Sequence, residues 1–110
     1  MKLAFSPAGD GKKQPYVVDV PDNPRVESEI LIGRAANCDI QIPQRFVSRR
    51  HCGIRVDTTT RSIQVHDFGS ANGTFVNDQP VEGLCDVVDG DTLTIGPVSL
   101  TVQIVRPTAY

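Results

Sequence analysis

The chain has 110 residues, of which 39% are hydrophobic and 22% charged, and its formal net charge is −2. That length buries one core without disulfide or metal staples, and the composition excludes an intrinsically disordered chain. So small a negative charge supplies no global field toward DNA, RNA or an anionic membrane, so anion binding has to come from local geometry.

The opening MKLAFSPAGDG places Leu3 and Phe5 at a spacing of two, as in a strand with one wet face. Its apolar run is far shorter than a signal-peptide core, and no later window approaches a membrane span. Turn chemistry follows at residues 7–11 and again at 21–24, where Pro21, Asn23 and Pro24 cluster. Ile30, Leu31, Ile32 and Gly33 read as a strand that delivers Arg34 at its end. Cys38, Ile40 and Ile42 alternate with Asp39 and Gln41 as the next strand.

Then comes RFVSRRHCGI, residues 45–54, with Ser48, Arg49, Arg50 and His51 side by side. Three chemistries fit those residue types: a serine nucleophile with a histidine base, a seat for phosphate, or part of a nucleic-acid patch. In an extended or loop segment, residues three apart tend to face opposite ways, which argues against a Ser48–His51 catalytic contact. No orienting partner or oxyanion donor is evident either.

Beyond it, Cys52, Ile54 and Val56 alternate with Gly53 and Arg55, and a turn is expected at residues 57–60. Ile63 and Val65 alternate with Ser62, Gln64 and His66, which puts His66 on the solvated side. Residues 69–73 form a polar loop. Asn77 and Asp78, between Phe75-Val76 and residues 79–81, predict a tight two-residue hairpin. Turn residues at 89–91 and 96–97 bracket Leu93 and Ile95. A last strand alternates Val98, Leu100, Val102 and Ile104 with Ser99, Thr101 and Gln103. The ending RPTAY has no pattern; residues 1–106 are expected to form one domain, with 107–110 as the start of a linker.

No window shows a helical stripe, and short strands with turns every eight to twelve residues predict an all-β sandwich or barrel. In such folds binding residues sit on loops held by rigid sheets. The cysteines, Cys38, Cys52 and Cys85, lack CxxC spacing and sit among apolar neighbours. They read as reduced core thiols of an intracellular protein, with the cytoplasm as the expected compartment, and no metal site is expected.

Taken in order, Gly33-Arg34, Ser48-Arg49-Arg50-His51, Asn72-Gly73-Thr74 and Asn77 closely resemble the forkhead-associated (FHA) domain, a phosphothreonine-binding module. Asp67-Phe68-Gly69-Ser70, Asp89-Gly90-Asp91 and Gly96 support the match, which covers about residues 30 to 105. The resemblance implies an antiparallel β-sandwich of about eleven short strands. It implies Arg34 and Ser48 as phosphate ligands with Arg49 adding charge, and Asn72 holding the backbone of the bound peptide. Gly33, His51, Gly73, Thr74 and Asn77 become supports of the binding loops, His51 as an internal brace. Arg45, Phe46, Val47, Arg50, Ser70 and Ala71 are candidates to touch residues flanking the phosphothreonine. Phe46 reads equally as core or as an exposed contact.

The expected partner is a phosphothreonine-containing protein or peptide, with no nucleic acid, membrane, metal or cofactor, no enzymatic activity, and a monomer favoured. The alternative is an interaction or dimerisation module of the same fold that works without phosphate. Ala71 keeps that alternative open, because the family commonly carries Thr or Ser before Asn-Gly. A hydrogen bond to a charged group is typically worth about 1.5–3 kcal/mol, so Ala71 bears on affinity rather than on the site's existence.

Overall fold

The computed structural model describes residues 1–8, 14–20 and 28–105. The turn expected at 21–24, most of the one at 7–11, the boundary at 106 and the tail at 107–110 lie outside the described residues. Among the described residues there are eleven strands and no helix, so none is long and apolar enough to cross a membrane. They are β1 (Lys2–Pro7), β2 (Tyr16–Asp19), β3 (Ser28–Gly33), β4 (Ile40–Gln41), β5 (Cys52–Asp57) and β6 (Ser62–Asp67), followed by β7 (Thr74–Val76), β8 (Gln79–Pro80), β9 (Leu84–Val87), β10 (Thr92–Ile95) and β11 (Val98–Val105).

Two sheets result. One has six strands in the order β2-β1-β11-β10-β7-β8, and the other has five in the order β4-β3-β5-β6-β9. The period of two in the sequence sets which side chains meet between them. Leu3 and Phe5 of β1, Leu93 and Ile95 of β10, and Leu100 and Val102 of β11 are all 0% exposed, as are Ile32, Ile54 and Val65 of the other sheet. Registers keep these residues aligned: Ile54 faces Val65 and Val56 faces Ile63 across β5–β6, while Leu93 faces Leu100 across β10–β11. A slip of one residue would turn each apolar set to water, so burial itself fixes the register.

One pairing departs from the expected antiparallel sandwich. β4 runs parallel to β3, with Ile32 opposite Ile40 and Gly33 opposite Gln41. Cys38, Ile40 and Ile42 are buried as the alternation predicts, but only Ile40–Gln41 is strand. The chain leaves β3, turns within residues 34–38, and Asp39 takes the Leu31 N–H on its carboxylate at 2.7 Å. A side-chain oxygen thus replaces part of the ladder. His66 also differs from expectation. Its Nε2 lies 3.1 Å from Glu29 Oε1 and its ring meets Phe68 edge-on at 4.5 Å, so it is packed and paired on the outer face rather than merely solvated.

The sheets matter to function because they bring several connections to one end. Those after β3, β4, β6 and β10 meet there, with the β8–β9 connection beside them, and glycines permit the contact. A Cβ on Gly33 would sit 2.2 Å from the Arg49 carbonyl oxygen, and one on Gly96 would sit 2.7 Å from that of Phe46. No larger residue fits either place without moving backbone.

At the other end the β7–β8 hairpin turns through Asn77 and Asp78, with φ of 48° and 69°. Both central residues in the left-handed region define the primed turn that matches strand twist. Asn77 is tied down further: its Nδ2 donates to Asp91 Oδ1 at 2.9 Å, and its Oδ1 accepts the Thr92 N–H at 2.9 Å. Asp78→Gly should therefore raise the denaturation midpoint slightly. Asp78→Val should lower stability by about 1–2 kcal/mol, the cost of left-handed backbone for a branched residue. Equilibrium urea unfolding of the two variants measures both.

Candidate functional site

The loop between β4 and β5 carries Arg45, Phe46, Val47, Ser48, Arg49, Arg50 and His51, and His51 fixes its shape. The ring is 0% exposed. Its Nδ1 accepts the Ser48 backbone N–H at 3.0 Å, so Nε2 carries the proton and donates to the Gly73 carbonyl at 2.8 Å. Its own N–H donates to Ile32 O, and its carbonyl accepts the Phe68 N–H. One residue thus joins β3, its own loop and the loop between β6 and β7. The ring does meet Ser48, contrary to the expected opposite orientation, but at the backbone. The Ser48 hydroxyl instead accepts the Ala71 N–H at 3.1 Å. With both ring nitrogens occupied, the imidazole has no lone pair to take a proton from that hydroxyl.

Arg34 follows directly from Gly33 at the end of β3. Its backbone N–H donates to Ser48 O at 2.9 Å, and its Nε donates to Val47 O at 3.0 Å. The guanidinium is held at one corner, and its two terminal nitrogens have no protein partner among the described residues. Arg49 supplies its carbonyl to the Ala35 N–H and the Cys38 thiol, while its side chain is exposed. Arg34, Ser48 and Arg49 therefore come together at one surface.

The loop between β6 and β7 is organised by Asp67. Its carboxylate accepts the N–H groups of Gly69 and Ser70 at 2.9 and 2.8 Å, the Ser70 hydroxyl, and the Thr74 hydroxyl at 2.7 Å. Partial burial acts to raise the Asp67 carboxyl, but these hydrogen bonds outweigh it and hold the group below its usual value. Thr74 is buried at 2% exposure, and Gly73 takes φ of 81° to turn the loop into β7. Asn72 reaches across to the other loop, its Nδ2 donating to Phe46 O at 2.7 Å. Behind the loops, burial, the Asp67 charge and neighbouring Cys38 outweigh a hydrogen bond with Thr74 and push the Cys52 thiol up to about 12. That thiol stays protonated and inert at neutral pH.

The candidate flanking contacts divide. Phe46 is 57% exposed, with the Arg45 guanidinium 5.6 Å from its ring centre. Arg50 lies 5.2 Å over the Phe68 ring, and Ala71 is exposed at the loop tip. Val47 is corrected: the loop turns inward where its N–H donates to Gln44 O, leaving it 1% exposed in the core and out of a ligand's reach. Ser70 is half-buried, and its hydroxyl is engaged within the loop, donating to Asp67 and accepting the Gly73 N–H at 3.0 Å. Sequence reasoning gave Asp67 only a place in a supporting match and not its role at the centre of this loop, although Asp followed by Gly and Ser two and three residues on is an Asx-turn signal. It also missed the carbonyls of Phe46 and Val47, which no side-chain pattern reveals.

With this geometry in place, the comparisons with known proteins agree on one family. The model of the FHA domain matches residues 30–96. The chain is 36% identical over 77 residues to the FHA domain-containing protein PS1 of Arabidopsis thaliana, covering 68% of this chain and 5% of that protein. It is 35% identical over 77 residues to the FHA domain-containing protein FhaA of Mycobacterium tuberculosis, covering 70% of this chain and 14% of that one. Among solved structures, an FHA domain from a structural and functional analysis of phosphothreonine-dependent FHA interactions superposes with a TM-score of 0.78. That pair shares 28% identity and covers 97% of this chain and 100% of the other.

The depressed Asp67 carboxyl makes a pH prediction. A carboxyl held below its unfolded value, about 3.9, stabilises the fold fully above that pH. The contribution is lost as pH falls through the lower folded value. Asp67→Asn should lower the urea midpoint at pH 7 and flatten its decline as the pH falls below about 4. An unchanged acid limb in the variant would remove Asp67 from this role.

Proposed function

This chain belongs to the FHA domain family, and we propose on that premise that its paired loops bind phosphothreonine in a partner protein. The observation that carries the reading is the pairing of Arg34 with Ser48. Val47 O holds the Arg34 Nε and Ser48 O the Arg34 N–H, so the exposed guanidinium, its terminal nitrogens without a protein partner among the described residues, is tied to the residue that carries the hydroxyl. That hydroxyl already accepts the Ala71 N–H, so its own proton is the part left to donate. A phosphate carries about −1.5 to −2 charges and three acceptor oxygens, which suits a planar guanidinium fork and a short O–H donor. Arg49 adds charge alongside.

Asn72 is suited to the peptide backbone. One amide hydrogen goes to Phe46 O, while Oδ1 has no partner among the described residues and can accept a peptide N–H. Gly33, His51, Gly73 and Thr74 serve by holding the loops, Asn77 holds the hairpin at the far end and not the loops, and Phe46, Arg45, Arg50 and Ala71 are left as surface for flanking residues. Ala71 lacks a hydroxyl but contributes its backbone N–H to Ser48, so it tunes affinity through position. Residues 1–106 are assigned to this domain and 107–110 to a tail. Binding of this kind needs no metal, cofactor or turnover, and it fits a non-enzymatic monomer in a reducing, intracellular compartment where Cys38, Cys52 and Cys85 stay free. The chain spans only a small part of the curated relatives it matches, so the activity of any larger protein around it is a separate matter.

Fluorescence-polarisation titration with phosphothreonine, phosphoserine and unphosphorylated peptide pools tests this. Binding is expected for the phosphothreonine pool alone. Arg34→Ala should weaken it roughly 10- to 150-fold, the equivalent of one charged hydrogen bond of about 1.5–3 kcal/mol. Arg34→Lys should not restore it, since an ammonium lacks the fork. Binding independent of phosphate would instead support the alternative of a phosphate-independent module.

A further inference from the structure

The charge around the proposed site exceeds what one phosphate needs. Arg34, Arg45, Arg49 and Arg50 are all exposed at this end of the sandwich. Among the described residues the ion pairs are Met1 with Asp19 and Glu29 with Arg55 and His66, so none of the four is neutralised. Of the acidic residues at this end, Asp39 is engaged by the Leu31 N–H and Asp67 by its own loop, while Glu82, between β8 and β9, is exposed and pairs with none of the four. Asp57, Asp78, Asp89 and Asp91 sit in or beside turns at the opposite end of the strands. A chain of net charge −2 thus concentrates four unpaired positive charges where the ligand is proposed to bind. Phosphate supplies at most about two negative charges in return.

The two arginines beyond the phosphate ligands are not loose. Arg45 lies over the Phe46 ring and Arg50 over the Phe68 ring, at 5.6 and 5.2 Å from the ring centres. Such cation–π contact restricts a long side chain before any ligand arrives, lowering the entropy lost on binding. The platforms are themselves fixed. Phe46 accepts the Asn72 amide on its carbonyl, and Phe68 donates its N–H to His51 O. Two preset guanidiniums therefore stand on either side of Ser48 in the chain, Arg45 over Phe46, which Asn72 holds, and Arg50 over Phe68 at the start of the β6–β7 loop.

We infer that this domain selects ligands carrying further negative charge beside the phosphothreonine, read by Arg45 and Arg50. Acidic side chains and a second phosphorylated residue share that chemistry. The inference rests on the phosphothreonine reading above.

The test uses four labelled peptides of equal length. They are phosphothreonine with alanine flanks, phosphothreonine with aspartate flanks, phosphothreonine with a second phosphorylated residue and alanine elsewhere, and unphosphorylated threonine with aspartate flanks. The aspartate-flanked phosphopeptide should bind about three- to tenfold tighter than the alanine-flanked one, the sum of two exposed ion pairs. The advantage should shrink between low and high salt. The doubly phosphorylated peptide should gain at least as much, and the unphosphorylated one should not bind. In the Arg45→Gln, Arg50→Gln double variant every phosphopeptide should lose some affinity through the reduced local charge, but the ratio of aspartate-flanked to alanine-flanked binding should fall below about twofold, with the thermal midpoint nearly unchanged because both side chains are solvent-exposed. Equal affinity for alanine and acidic flanks in the parent, or an advantage that survives in the double variant, would overturn this inference alone. Failure of every phosphopeptide to bind would overturn the phosphothreonine reading with it.

Discussion

The two loops proposed to meet the ligand have no secondary structure of their own, and the buried imidazole of His51 is what lets them share one geometry. Its Nδ1 takes the Ser48 N–H and its Nε2–H goes to Gly73 O. Each bond adds only about 0.5–1.5 kcal/mol net, yet a buried N–H or C=O left without a partner costs about 1–3 kcal/mol. Removing the ring would strand both at once. Domains of this kind have only about 5–15 kcal/mol to lose, so the constraint on residue 51 is severe and needs no catalytic role to explain it.

From that brace the other site residues fall into place by short links. Ser48 is set by the ring through its N–H and by Arg34 through its carbonyl, and its hydroxyl meets the Ala71 N–H. Asn72 closes the circuit by donating to Phe46 O. Asp67 does for the second loop what His51 does for the first, collecting N–H and O–H donors around one carboxylate. The result is a surface whose donors are aimed before a ligand arrives. Binding to such a surface loses little entropy in ordering loops.

Most of the architecture was legible from the period of two. Leu3, Phe5, Ile54, Val65, Leu93, Leu100 and Val102 read as inward-facing, and all are buried. The hairpin at Asn77 and Asp78 was legible because few residues accept two consecutive positive φ angles. The β3–β4 pair was not: a two-residue strand is too short to show a period, and its parallel direction follows from the intervening residues 34–39 carrying the chain back, which no alternation reveals. Among site residues, order and spacing picked out Arg34, Ser48, His51 and Asn72, which the fold brings to one end. Val47 was misplaced because a loop's facing follows its backbone bonds, such as Val47 N–H to Gln44 O, and not a periodicity. His66 looked solvated because its partner Glu29 lies 37 residues away on another strand.

The most direct test is an NMR titration of the isotopically labelled domain with a phosphothreonine peptide. The account predicts saturable shifts confined to the Arg34 Nε–H, the Ala71 N–H and the Asn72 side-chain amide and their neighbours. The Ser48 N–H should already be protected from exchange in the free protein, since His51 holds it there. Shifts centred on the opposite end of the sandwich, or a Ser48 N–H that becomes protected only when peptide is added, would contradict a preset site braced by His51.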